Sequence, residues 1–308
     1  MPLMTADAPL RLPAPLTRWL EGVARDLLRP PGMPPVDFAS PAGEPALVPP
    51  ESVSWRVFKN PLTVAVGGIA AVILELAEPR VRHGVWDHSN FRERPLERLQ
   101  RTGLAAMLTV YGPASAARRM IVDVNAAHAR IHGTTSAGLP YRADDPELLG
   151  WVQATAAFGF LEAYAGYVRP VPHSERDAYY AEGAPVAGLY GATGAPASQA
   201  ALERLFAGMR PKLEPSATID EFLAIMRRLP LLPRPFGLAQ PLLVKAAVDI
   251  LPPDLAERLR LTGLRLRPWE RATVRTAARM LDRLPLRTLP PAQACRRLGL
   301  PEDWLYRR

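Results

Sequence analysis

The chain has 308 residues, of which 48% are apolar and 22% charged, and this balance excludes global disorder because it allows a full-sized core. The single cysteine, Cys295, excludes an intrachain disulfide, a cysteine-based zinc site and a cysteine-ligated iron–sulfur cluster. The net charge of +8 arises within residues 256–308, which hold 13 Arg against 5 acidic residues, so the rest of the chain is neutral and nucleic acid is not an expected partner.

No targeting or spanning segment is predicted. The first 33 residues are rich in proline and carry several charges, without the apolar stretch of a secretory signal. The longest apolar run, residues 62–74, is shorter than the roughly 20 residues that cross a bilayer. We therefore expect no membrane span and a cytoplasmic location.

The sequence pattern predicts helices in chain order. The 35 prolines divide the chain into short helical stretches, and alternating strand patterns are scarce. The predicted helices cover residues 14–28, 64–78, 95–111, 114–132, 145–168, 174–182, 196–208, 218–228, 237–250, 252–261, 268–284 and 290–299. This predicts an all-α fold, a single large bundle of roughly ten helices. Its expected divisions are a proline-rich extension with a short helix (1–50), a helical domain (51–300) and a basic tail (301–308).

The segment 114–132 carries the clearest candidate for a functional side chain. Ile121, Val124, His128 and Ile131 recur at helical spacing, so His128 lies on an otherwise apolar face. Such an imidazole is either a neutral, hydrogen-bonded core residue or a metal ligand. His132 follows one turn later and could share a metal with His128 and a carboxylate, although the segment lacks the internal glutamate of the zincin motif.

Three polar residues in segment 95–111 are the second candidate. Arg98, Arg101 and Thr102 fall on adjacent faces of a mostly apolar helix. Arginines in this position could bind a buried propionate, phosphate or carboxylate. The alternative is a solvated face on which Thr102 bonds back to the helix backbone.

Other polar features favour structural roles. His88 and Ser89 are interpreted as a cap for the next element, and His173 as a loop residue. Arginines recur every fourth residue from Arg271 to Arg283, which is typical of a solvated helix face paired with Glu270 and Asp282, with DNA contact as a minor alternative. No nucleophile elbow, phosphate loop or dinucleotide fingerprint is present.

Several segments, in this order, resemble the MpaB-type and rubber oxygenase (latex clearing protein) catalytic-domain family over roughly residues 50–300. The motifs that carry the likeness are residues 74–81 with 88–91, 98–102, 124–133 and 141–153, followed by Tyr179–Tyr180 and a C-terminal part rich in proline and arginine. The resemblance implies an all-α fold. It also implies a b-type haem held by one proximal histidine, and the use of dioxygen to cleave double bonds of isoprenoid substrates.

The resemblance assigns roles to individual residues. By matching motif, His128 corresponds to the proximal haem ligand, and Arg98 and Thr102 to polar residues near the haem. Arg101 stands where the rubber-cleaving members carry lysine. Glu78 and Gln153 occupy positions that are histidine in many members, and Glu75 and Glu78 are the candidates for the catalytic glutamate of the rubber-cleaving members.

The leading hypothesis is thus a haem-b-dependent oxygenase that acts with dioxygen on an apolar small or isoprenoid-like substrate. Its catalytic residues would be Arg98, Arg101 and Thr102, with His128 and Arg98 binding the cofactor. Dioxygen would bind on the side opposite His128, in a pocket lined by apolar helices such as 64–78 and 148–164. A neighbouring acceptor is expected to fix the His128 ring. The alternatives are a cofactor-free binding or interaction protein on the same fold, and a non-haem metal enzyme using His128 and His132.

Overall fold

The computed structural model describes residues 9–10, 12–232 and 236–307, and the elements within these ranges are almost all helical. The α-helices are α1 (Ala14–Asp26), α2 (Val53–Phe58), α3 (Pro61–Ala77), α4 (Pro79–Trp86), α5 (Pro95–Tyr111), α6 (Ala114–His128), α7 (Pro146–Tyr167), α8 (His173–Leu189), α9 (Gln199–Met209), α10 (Ala217–Arg228), α11 (Gln240–Asp249), α12 (Pro253–Arg258), α13 (Pro268–Asp282) and α14 (Pro290–Arg297). One antiparallel hairpin pairs β1 (His132–Thr134) with β2 (Pro140–Arg142). Short 3₁₀ turns cover Arg210–Lys212, Phe236–Ala239, Thr262–Leu264 and Trp304–Tyr306.

The all-α prediction is confirmed, and the helix boundaries show where proline acts. Pro61, Pro79, Pro95 and Pro146 each occupy the first position of a helix, where the missing N–H costs no hydrogen bond. Helix α8 runs further than the predicted 174–182, because Pro185 lies inside the helix and does not end it.

Three features were absent from the prediction. Helices α2 and α4 are too short to show a clear period in the sequence, and the β1–β2 hairpin replaces the predicted last turn of α6. Because α6 ends at His128, residues 129–132 do not continue the apolar helical face. The described part of the chain holds fourteen α-helices rather than roughly ten.

The centre of the fold is a close crossing of α3 and α7. Both helices are apolar on nearly every side, as expected for helices surrounded by others. A Cβ placed on Gly67 would lie 2.7 Å from the carbonyl oxygen of Gly159, and a Cβ on Gly159 would meet the carbonyl oxygen of Gly67 even more closely. The two glycines therefore let the helix backbones touch.

The apolar helix α3 and the helix α4 that follows it do not form a straight membrane span. Within the described residues, no single helix has the length and hydropathy needed to cross a bilayer. Helices α3 and α4 together would meet these criteria, but the chain bends by 113° between them.

The basic C-terminal region is packed into the fold. The Arg275 Nε donates to the carbonyl of Gly166 and the Arg279 Nε to that of Val168, at 2.9 and 3.1 Å, so both side chains bind the C-terminal end of α7. Arg271 forms a bidentate ion pair with Asp249 of α11. Cations are favourable at a helix C-terminus, where carbonyls lack intrahelical partners. The arginine face is exposed at Arg275 and Arg279, as predicted for a solvated face, and the same side chains also hold α13 against α7.

Glu270 and Asp282, the acidic residues predicted to pair with the arginine face, bind other groups. Glu270 accepts from Lys245 and from the backbone N–H of Arg267, and Asp282 pairs with Lys59 at 3.1 Å. In the expected tail, Leu305 and Tyr306 are buried against the core. Lys245 of α11 and Lys59, which follows α2, thus bind these two carboxylates, whereas Arg271, Arg275 and Arg279 bind other groups.

Candidate functional site

His128 is the last residue of α6, immediately before the turn into the hairpin. Its side chain is half-buried, and its Nδ1 atom is shielded from solvent without a hydrogen-bond partner. Burial lowers the pKa of His128, and the positive charge of Arg98 lowers it further, while Asp144 opposes the shift. The imidazole is therefore neutral at physiological pH, as a metal ligand must be.

The structure does not provide the acceptor expected for the His128 ring. Neither ring nitrogen makes a hydrogen bond to any residue that the structure describes. A buried polar atom without a partner is rare in folded proteins and marks a place where a further group or ion can bind. The ring is thus oriented by packing and by its position at the end of α6.

Arg98 projects from α5 toward the same region. Its side chain is half-buried, and its guanidinium forms no ion pair or hydrogen bond with the described residues. Burial lowers the pKa of Arg98, Arg101 lowers it further and the negative charge of Glu75 opposes this, but an arginine keeps its charge at any physiological pH. A half-buried guanidinium without a hydrogen-bonded protein partner is available to bind an anion.

Arg101 and Thr102 do not share the environment of Arg98. Arg101 is half exposed and pairs with Glu97 one turn earlier, at 2.8 Å. The exposed Thr102 donates its hydroxyl to the carbonyl of Arg98 at 3.0 Å, the backbone bond weighed as the alternative from the sequence. The segment therefore turns Arg98 inward and leaves the other two candidates at the surface of α5.

Glu75 of α3 completes the polar group. Thr155 of α7 donates to its carboxyl at 3.5 Å, and burial raises the pKa of Glu75 to about 7, against the lowering effects of Arg98 and of the Thr155 bond. The carboxyl is therefore close to half ionised at neutral pH. The signal in the sequence is a single glutamate within an apolar helix, since a charged residue there needs a partner or a function.

These residues interact electrostatically as a series across four elements. The charge of Arg98 acts on both Glu75 and His128, and His128 in turn acts on Asp144, which precedes α7. Helices α3, α5, α6 and α7 thus each contribute a polar side chain, and we refer to Glu75, Arg98, His128 and Thr155 as the polar cluster. Four separate sequence segments thus contribute to the cluster, and the α3–α7 crossing brings two of them, with Glu75 and Thr155, into contact.

Glu78, the other glutamate candidate, has a structural role. It is only 2% exposed, and its carboxylate accepts from the backbone N–H of Val81 at 2.8 Å, which caps α4. It also pairs with Arg80 at 2.7 Å, and Arg80 reaches Glu147 of α7. Both carboxylate oxygens of Glu78 are engaged. Glu78 therefore caps a helix here.

Gln153 lies on α7 two residues before Thr155. Its side chain is half-buried, and its amide forms no hydrogen bond with the residues that the structure describes. It is therefore free to contact a bound molecule, but nothing ties it to the polar cluster.

The remaining histidines are held by neighbouring side chains or lie at the surface. His88 bonds the hydroxyl of Tyr141 at 2.9 Å and caps no helix. His173 is the first residue of α8 rather than a loop residue, and it contacts Gln199. His83 pairs with Asp87 at 2.7 Å.

The proposed sharing of a metal by His128 and His132 rested on a helix that continues past His128. His132 instead begins β1 and is exposed. Among the described residues, no group of three or more His, Cys, Asp or Glu side chains is arranged to hold a metal ion. The His128–His132 arrangement is thus corrected, because the chain leaves the helix between the two residues.

The fold and the polar cluster define a class of protein: an all-helical domain that presents a neutral histidine and an unpaired arginine beside apolar helices. The family model described as "ER-bound oxygenase mpaB/B'/Rubber oxygenase, catalytic domain" matches residues 55–283, and the chain belongs to this family. The matched region runs from α2 to the end of α13 and includes the whole polar cluster. No curated protein and no solved structure matches significantly. Membership indicates an oxygenase, and hence dioxygen and a small-molecule substrate.

Proposed function

We propose that this protein is a haem-b-dependent oxygenase that acts with dioxygen on an apolar small or isoprenoid-like substrate. The observation that carries the proposal is His128, a neutral imidazole whose ring nitrogens have no partner among the described residues. A haem iron bound by one histidine needs such a ring.

The residues around His128 fit this cofactor. His128 would hold the iron, and the unpaired guanidinium of Arg98 would bind an anionic group such as a propionate. The apolar faces of α3 and α7 supply a non-polar environment for the porphyrin and for an apolar substrate. When bound, the haem would supply the capacity to activate dioxygen.

Glu75 is the residue suited to proton transfer. With its pKa raised to about 7, the carboxyl can both accept and release a proton at neutral pH. Thr155 donates to one carboxyl oxygen and so orients the group, while Arg98 keeps the ionised form accessible. We propose that Glu75 holds or moves a proton next to the substrate.

Arg101 and Thr102 keep their proposed catalytic roles from the family resemblance. Arg101 interacts electrostatically with Arg98 although it is half exposed, so its charge contributes to the attraction of an anionic group. Thr102 acts on Arg98 through the backbone, by a hydrogen bond to its carbonyl.

The test is the haem content of purified protein and of two histidine variants. We expect a Soret band and about one haem per chain by pyridine haemochrome assay, directly or after reconstitution with haemin. His128→Ala should bind less than about a tenth of this amount with unchanged helical circular dichroism. His132→Ala, four residues further along and exposed, is the matched control and should keep its haem.

Three results would contradict the proposal. Wild-type protein without a Soret band after reconstitution would indicate a cofactor-free binding protein on the same fold. Stoichiometric haem in His128→Ala would show that another residue ligates the iron. Iron or zinc found by elemental analysis without porphyrin would favour the non-haem alternative.

A further inference from the structure

A surface cavity of about 390 Å³ lies between α10 and the segment that follows α12, and Asp220 and Arg260 in its wall are exposed. Its walls include Asp220, Leu223 and Arg227 from α10, together with Arg260 and Leu261. No residue of the polar cluster lines it. Its volume falls within the range of small-molecule sites, so it is large enough for an organic ligand.

Arg260 adopts a backbone conformation that is unfavourable for any residue with a side chain. Its φ of 60° is left-handed, and among the described residues it is the one non-glycine with a positive φ. The position follows the end of α12, where the N–H of Leu261 bonds the carbonyl of Ala256 at 2.8 Å and the N–H of Arg260 bonds that of Glu257 at 2.9 Å. Glycine is the preferred residue at such a helix end, because it has no Cβ to clash.

The arginine side chain at this position is not used by the fold. The guanidinium of Arg260 forms no hydrogen bond or ion pair with the described residues, and the same is true of the half-buried Arg227 across the cavity. By contrast, Arg258 in the same helix donates to the carbonyls of Leu213 and Pro211. A strained backbone position whose side chain has no partner within the protein is typical of functional sites.

The third charged residue in the wall, Asp220, is also without a side-chain partner in the described part of the chain. Two guanidinium groups give the cavity two sets of donors suited to the paired oxygens of a phosphate or carboxylate. The carboxylate of Asp220 can accept from a hydroxyl or ammonium group of the same ligand.

We propose that this cavity is a binding site for a small hydroxylated oxyanion. Arg227 and Arg260 bind its phosphate or carboxylate group, and Asp220 accepts a hydrogen bond from its hydroxyl group. The site is independent of the oxygenase proposal, because it shares no residue with the polar cluster.

The experiment is calorimetric titration of the full chain at low ionic strength with glycerol 3-phosphate, glycerate and neutral glycerol. We expect saturable binding of at least one of the two anions and none of glycerol. A preference for glycerol 3-phosphate identifies a phosphate site, and a preference for glycerate identifies a carboxylate site. Arg260→Gly and Arg227→Gln should each weaken binding about tenfold or more, as expected for loss of a charge-assisted hydrogen bond.

Arg260→Gly separates binding from folding. Glycine suits the left-handed conformation, so this variant should have a Tm equal to or above that of the wild type while losing affinity. Arg228→Gln is the matched control, because Arg228 is exposed on α10 and does not line the cavity; it should bind within twofold of wild type. The proposal is overturned if neither anion saturates, or if Arg228→Gln loses as much affinity as the two cavity variants.

Discussion

Glu75 illustrates how a single residue acquires its chemistry from its surroundings. The sequence shows a glutamate in an apolar helix, and the fold places its carboxyl beside Thr155 and within the field of Arg98. Burial outweighs the lowering effects of both neighbours, so the pKa rises from 4.5 to about 7. A residue with a pKa close to the working pH is suited to proton transfer, but it is costly to the fold when ionised.

Replacement of Glu75 by glutamine should therefore stabilise the protein at high pH. The unfolded carboxyl titrates near 4.5 and the folded one near 7, so the penalty for ionisation is absent below pH 4.5, grows between these values and is complete above pH 7. We expect Glu75→Gln to raise the free energy of unfolding at pH 8 by up to about 3 kcal/mol, and to leave it unchanged at pH 4.

Urea unfolding across this pH range measures the effect. Glu93→Gln is the control, because Glu93 is exposed on the chain before α5 and should alter stability little at any pH. A Glu75→Gln variant whose stability parallels that of the wild type from pH 4 to pH 8 would show that the carboxyl is not desolvated. In the haem-loaded protein, the same variant should lose activity while keeping the cofactor.

At the scale of elements, the α3–α7 crossing determines where the polar cluster forms. Glu75 lies two turns after Gly67 on α3, and Thr155 lies one turn before Gly159 on α7. Contact between the two backbones at the glycines brings these helices close enough for the carboxyl and hydroxyl to bond. The indole N–H of Trp151 adds a second link, since it donates to the carbonyl of Leu74 at 3.3 Å.

A methyl group at the crossing should force the two helices apart. We expect Gly67→Ala to destabilise the fold by about 3 kcal/mol, because the new Cβ meets backbone atoms of Gly159 that cannot rotate away. Gly68→Ala is the control: its Cβ would be 4.0 Å from the ring of Phe160, and alanine favours the helix, so stability should stay within about 1 kcal/mol of wild type or rise.

Chemical denaturation of both variants distinguishes these outcomes. Equal stability of Gly67→Ala and Gly68→Ala would show that α3 and α7 can separate without cost. The crossing would then not be what positions Glu75 next to Thr155.

At the scale of the whole molecule, the C-terminal arginines connect distant parts of the chain. Arg297 of α14 is 2% exposed, and its guanidinium donates to the backbone carbonyls of Glu44, Phe38 and Tyr111 at 2.6 to 2.8 Å. One side chain thus joins the irregular N-terminal segment, the end of α5 and the C-terminal helix. The charge concentration in residues 256–308 is, to this extent, a structural feature.

Replacement of Arg297 should lower the free energy of unfolding much more than replacement of its neighbour Arg296. We expect Arg297→Met to lower the free energy of unfolding by about 3 kcal/mol or more, because three carbonyls, two of them buried, lose their donor. Arg296→Met should cost less than about 1 kcal/mol, since Arg296 is half exposed and pairs with Glu302 at the surface. Comparable losses in the two variants, measured by urea unfolding, would contradict the assigned role.

Much of the fold could be predicted from the sequence, because helical periodicity and proline positions are local properties. The boundaries of α5 and the start of α7 follow from Pro95 and Pro146, and the apolar character of α3 indicates a central helix. His128 and Arg98 could be selected in the same way, as polar residues on apolar faces. The ends of α6 and α8 were less predictable, because tertiary contacts decide whether a further helical turn forms.

The sequence by itself thus determined the all-α class, the starts of several helices, such as α5, α6, α13 and α14, and two members of the polar cluster. Only the tertiary structure decided that Glu75 joins the cluster while Glu78 caps α4, and that the arginines of α13 bind the end of α7. The reason is physical: a helical period specifies which face of a helix is apolar, whereas the helix that packs on that face depends on contacts between residues far apart in the chain.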